Sequence, residues 1–267
     1  MSFQPILPMT GYVGWRFLQR TLDSQQQTFN DSAPVKRATD YFREKIGSIR
    51  TAEDLVANRR LLEVALGAFG LEDDLDNRFF IQKVLSEGAA SSDALASKLS
   101  DKRYAAFSEE FGFGEAGLPR TGLASFPEKI TALYERHQFE KAVGDQDDDL
   151  RSALNVSAAL DDIVTSTKSN DARWFSIMGN APVRAVIQTA LGLPSSIAQL
   201  DIDLQLDAFK NRADATFGSN EVGNFADPDQ QEKLIRLFMI RSESNAFAAS
   251  NSSSLALTLL QSMPRYY

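Results

Sequence analysis

Three patterns in this sequence could do chemistry. Gly112, Gly114 and Gly117 satisfy G-x-G-x-x-G. That pattern binds a dinucleotide when it follows a strand and opens a helix, so that helix N–H groups meet the pyrophosphate. Here the glycines follow a helical stretch and run on into Leu118-Pro119-Arg120-Thr121-Gly122, which is the wrong context. Asp145, Asp147 and Asp149 imitate the first three ligands of an EF-hand loop. The position that needs Gly is Leu150 and the one that needs the bidentate Glu is Val156, so helix capping and solubility account for the acids. His137 is the only histidine. It has no Ser, Cys or second His at triad or metal-ligand spacing, and it sits on an apolar stripe, as a satisfied core histidine does. No carboxylate pair stands out for hydrolysis, and neither G-x-S-x-G nor a P-loop is present. The chain is therefore read as non-enzymatic, with no catalytic, cofactor-binding or metal-ligating residue and no small-molecule substrate.

The totals narrow the partners. A net charge of −8 and a pI of about 4.8 argue against nucleic acid or an anionic membrane, because both require clustered Lys and Arg. The absence of cysteine excludes disulfides, thiolate chemistry and Cys-type metal sites. No apolar run reaches the roughly 18 residues a transmembrane helix needs. The N-terminus, MSFQPILPMTGYVGW, lacks the basic region and continuous apolar core of a Sec signal.

Stepping along the chain, apolar residues recur at helical spacing nearly everywhere. Residues 1–10 read as an extended arm. A helix then starts at Gly11, with Tyr12, Trp15, Leu18 and Leu22 on one stripe, followed by Gln25-Gln26-Gln27 as polar surface. A second helix over 36–46 turns Tyr41, Phe42 and Ile46 inward. Thr51 to Asp54 forms a capping box. Glu72-Asp73-Asp74 opens a helix through Glu87 with Phe79, Phe80 and Val84 as core. Ser91-Ser92-Asp93 caps a short helix to Leu99, and 114–124 is a loop. Ser125 to Glu128 is a second capping box, and its helix carries Ile130, Leu133, Tyr134 and His137. Another helix places Leu150, Leu154, Ser157 and Leu160 on one side, and Trp174 and Phe175 anchor the next. Asp201–Phe209 alternates like a strand, yet Leu206, Phe209, Ala213 and Phe217 continue at helical spacing, so it is read as helix. Asp227-Pro228 opens a long helix to about Phe247. Ala248–Ser254 reads as a linker and Leu255–Met263 as a short apolar tail helix.

One stretch recurs. At a constant offset, Leu55, Asn58 and Val64 of Asp54–Leu71 fall on Ile177, Asn180 and Val186 of Ser176–Leu193, and both stretches end in Gly-Leu, at Gly70-Leu71 and Gly192-Leu193. Asp101–Phe113 is a weaker copy ending in Gly112-Phe113. An Asn or Asp can accept from a free N–H in the first helical turn, and Gly suits the left-handed position past the helix end. Duplication and independent use of the same capping signals both explain the likeness. The expected fold is all-α, a multi-helix protein built from duplicated capped-helix modules in two lobes. The lobes are 1–165, with its extended arm, and 166–247; 248–267 follows as linker and tail.

Both ends are rich in large apolar residues. They either dock on the protein's own core or supply a helix to a partner. Tyr12, Trp15, Phe17 and Leu18 at one end, and Leu255, Leu257, Leu259 and Leu260 at the other, are the candidate partner-binding residues.

Gly14 to Thr21 (GWRFLQRT), Thr51 to Leu55, Leu61 to Leu71, Asp101 to Tyr104, Phe111 to Gly114, Trp174-Phe175 and Ala190 to Ser196 together resemble a family of uncharacterised bacterial proteins. It is common in Rhodobacterales and other alphaproteobacteria, and its genes tend to lie among flagellar genes. The resemblance implies a non-enzymatic, flagellum-associated structural or assembly role through protein–protein contacts. The partners would be flagellar proteins or further copies of the chain, located in the flagellum or the cytoplasm. The alternative is a cytoplasmic adaptor or chaperone for a flagellar export substrate.

Overall fold

The structure, a computed structural model, describes residues 3–99, 101–114, 119–166 and 169–262, with side-chain surroundings for all of these but 166 and 249–262. Among them the fold is all-α, with no strand. Contacts gather the chain into two compact units, Met1–Ile6 with Thr21–Ala142, and Leu7–Arg20 with Val143–Tyr267.

The first unit takes the part of α1 (Gly11–Asn30) from Thr21 onward. It continues through α2 (Ala33–Lys45), α3 (Ala52–Ala57), α4 (Arg59–Gly67), α5 (Arg78–Glu87), α6 (Leu95–Lys98) and α7 (Arg103–Phe111), and takes α8 (Phe126–Gly144) up to Ala142. Helix α4 is its centre. Leu61, Leu62, Val64, Ala65, Leu66 and Gly67 are all buried, leaving Arg59, Arg60 and Glu63 outside. Phe69, Phe107, Phe111 and Phe126 form a run of ring contacts beside it. Offset and edge-on ring pairs of this kind add attraction beyond burial.

The second unit holds the start of α1 with α9 (Asp148–Ser166), α10 (Asn170–Gly179), α11 (Ala181–Leu191), α12 (Ile202–Phe217) and α13 (Pro228–Ser262). Helix α11 is the hub and packs on α9, α10, α12 and α13. Its buried residues Val183, Val186, Ile187, Ala190 and Leu191 fall at the spacing that gives a helix one wide apolar face. The polar stretch 166–171, of which 167 and 168 lie outside the described residues, is not where the contacts divide the chain. Helix α9 packs on α11, so the division falls at Ala142/Val143.

Local signals explain the element ends. Thr51 and Asp54 form the reciprocal capping box. Asp147 accepts from Leu150 N–H at 3.0 Å and caps α9. The two stronger copies of the recurring stretch share their junctions. Asn58 and Asn180 have nearly identical backbone angles (φ −100°, ψ 93° and φ −99°, ψ 100°). Each caps the following helix, through Leu61 N–H at 3.2 Å and Val183 N–H at 3.3 Å. Both ends are Schellman motifs. Leu71 N–H donates to Leu66 O and Leu193 N–H to Gln188 O, across Gly70 and Gly192 at φ 65° and 66°. The copy at Gly112 has only the single bond from Gly112 N–H to Ser108 O, the simpler left-handed cap. Asn58 also donates to Tyr41 Oη at 3.0 Å. Asn180→Ala is therefore expected to cost about 1 kcal/mol, and Asn58→Ala about 2 kcal/mol once the Tyr41 bond is included. Urea midpoints at unchanged slope would register both losses.

Several expectations are corrected. Phe79 is not core but 91% exposed, because the buried stripe of α5 is Ile81, Val84 and Leu85 and Phe79 lies on the far side. The helix expected from Glu72 is a 3₁₀ turn, Glu72–Asp74, followed by α5 from Arg78. Glu87, not Ser91 to Asp93, serves the start of α6, accepting from Leu95 N–H at 2.7 Å. Phe175 is 40% exposed beside the buried Trp174. Gln25 is buried. It accepts from Ile6 N–H at 2.7 Å and donates to Ile6 O at 3.2 Å, which supplies the extended arm with backbone partners. The expected linker Ala248–Ser254 is helical, within the unbroken α13. Residues 115–118 of the expected loop lie outside the described residues.

Candidate functional site

The three chemical patterns gather no reactive site. His137 Nδ1 lies 3.2 Å from Glu140 Oε2 one turn along α8, and Arg136 Nε is 3.8 Å from the other carboxylate oxygen. This is a local pairing on one helix, with no nucleophile in it. Asp147 is used as a cap, and no group of three or more His, Cys, Asp or Glu that could hold a metal occurs among the described residues. Gly112 terminates α7 and Gly114 packs against Gly88, in a helix-to-turn context without a strand, while Gly117 lies outside the described residues.

Of the candidate partner-binding residues, Trp15 and Leu18 are buried in the chain itself, at 3% and 0% exposure. Tyr12 and Phe17 are half-buried. The side chains of Leu255, Leu257, Leu259 and Leu260 lie outside the described residues. What the start of α1 builds is a polar cluster around Glu232 of α13. Its carboxylate accepts from Tyr12 Oη–H at 2.6 Å, Trp15 Nε1–H at 3.3 Å and Arg16 at 3.0 Å. Glu232 is not legible in the sequence, since nothing local marks one acid in DQQEK as the partner of an aromatic pair 217 to 220 residues away. Burial alone would raise the Glu232 pKa, but the bonds from Tyr12, Arg16 and Trp15 outweigh it and hold the group below the usual carboxylate range. A carboxylate depressed in the folded state contributes stability above its unfolded pKa, about 4.3, and loses it as pH falls below that value. Glu232→Gln is thus expected to lower the melting temperature at neutral pH and to shrink the further drop on acidification. An unchanged acid slope in the variant would show that other carboxylates govern it.

The surface is marked by large apolar side chains on regular helices. Leu200, Ile202 and Leu204 are 45–53% exposed at the start of α12. Among the described residues of α13 the buried ones are Leu234, Ile235, Phe238 and Met239; beyond them Ile240 and Phe247 are 51% and 69% exposed. Every residue from Glu243 to Ala248 is exposed, yet the helix continues to Ser262. Its sequence carries no charge after Glu243. Two depressions lie on the first unit. One of about 560 Å³ is lined by Ser48, Ile49, Asp54 and Ala57 to Arg60, with its polar groups engaged: Asn58 caps α4, Arg59 pairs with Asp76 and Arg60 stacks on Tyr41. The other, about 250 Å³, lies between the start of α3 and α5 and is lined by Arg50 to Glu53, Gln82, Ser86 and Phe113.

These features define an all-α protein in two compact units, with apolar surface on α5, α12 and α13. The chain belongs to the family described as "Protein of unknown function (DUF1217)", which matches residues 68–231. It is also similar to a crystal structure of a protein from Agrobacterium tumefaciens, an alphaproteobacterium, at 27% identity and a TM-score of 0.70. That alignment covers 90% of this chain and 98% of the other. None of the curated proteins compared matches the chain. No helix among the described residues is long and apolar enough to cross a membrane.

Proposed function

We propose that this protein is a non-enzymatic structural or assembly component associated with the bacterial flagellum, acting through protein–protein contacts. The observation that carries the contact role is α13. It runs on as a helix past Met239, with Ile240 and Phe247 exposed two turns apart and a sequence uncharged from Ser244 that continues to Leu255, Leu257, Leu259 and Leu260. A helix of that kind is what a partner groove takes. The flagellar setting is supported by the sequence resemblance to proteins encoded among flagellar genes, and by the similarity to an alphaproteobacterial relative. The shared junctions at Asn58 to Leu71 and Asn180 to Leu193 support duplication of one capped-helix module as the origin of the scaffold.

The test is a deletion strain scored for motility, with a tagged protein followed into purified hook–basal bodies. Loss of motility and recovery of the protein with the purified structure are expected. A motile deletion strain would overturn the reading. A non-motile strain whose tagged protein stays in the cytosol, bound to an export substrate, would replace the structural role with that of an adaptor.

A further inference from the structure

We draw no further inference here: the strongest candidate, the pair of guanidinium groups that Arg212 of α12 and Arg241 of α13 bring to the end of α11, is taken up in capping the Leu191 and Ala190 carbonyls of that helix, and nothing in the structure points to a ligand there.

Discussion

Phe111→Ala is expected to destabilise the first unit by about 4 kcal/mol and to lower its melting temperature by roughly 10 to 20 °C. Phe111 is fully buried and is the ring the aromatic run shares most widely. It lies 5.0 Å from Phe107, 5.1 Å from Phe126 and 5.8 Å from Phe113, measured between centroids. Truncation removes the burial of one large side chain and all three ring pairs, and leaves a cavity that neighbouring rings fill poorly. Conservative replacement by Leu keeps much of the volume and should cost about half as much. Calorimetry would give the shift, and hydrogen exchange would locate it. Protection should fall within 21–142, and an unchanged melting temperature would mean that the ring cluster contributes little.

Trp174→Ala should do comparable damage to the second unit, again about 4 kcal/mol. The indole is fully buried, packs 6.0 Å from Phe209 and donates from Nε1 to Asn220 O at 2.8 Å. The same carbonyl accepts from Asn170 Nδ2 at 3.0 Å, and Asn170 Oδ1 accepts from Val222 N–H at 2.9 Å. Trp174 and Asn170 thus pin the chain after α12 back onto α10. Trp174→Phe keeps most of the apolar volume, and the Asn220 carbonyl retains its Asn170 bond, so this variant should lose only about 1–2 kcal/mol. Trp15 would then be the sole indole, and its emission would report the second unit directly. Equal losses for Phe and Ala would assign the effect to the hydrogen bond rather than to packing.

The helical class and most element starts were legible because caps are local. Thr51, Asn58, Asp147 and Asn180 each bond an N–H three residues away, and a sequence displays such spacings openly. The strand-like Asp201–Phe209 was correctly read as helix from Leu206, Phe209 and Ala213, which all prove buried in α12. Phe79 was misread although its periodicity was visible. Ile81 and Leu85 lie one turn apart on the buried side, with Val84 between them, and Phe79 keeps company with Lys83 and Ser86. Residue type outweighed position in that reading. The serine-rich 248–254 looks like a break, but serine is only mildly unfavourable in a helix, and no Gly or Pro interrupts the chain between Asp229 and Met263. Gln25 and Glu232 were illegible for a different reason. Their partners, Ile6 and the Tyr12–Trp15 pair, are brought to them by folding, and no local spacing encodes the meeting.

The Glu232 cluster has a consequence for the order of events in synthesis. Tyr12 and Glu232 are separated by 220 residues, so the start of α1 leaves the ribosome long before the α13 residue it bonds. Leu7–Arg20 belongs to the second unit, whose remaining chain begins only at Val143. The first unit can therefore assemble from Thr21 onward while Tyr12, Trp15 and Arg16 still wait for Glu232. Closing so long a loop carries little more entropy cost than closing a shorter one, because that cost grows only logarithmically with length. The burden falls on time: until α13 has been synthesised, the Tyr12 hydroxyl and the Trp15 indole N–H have no Glu232 carboxylate to donate to.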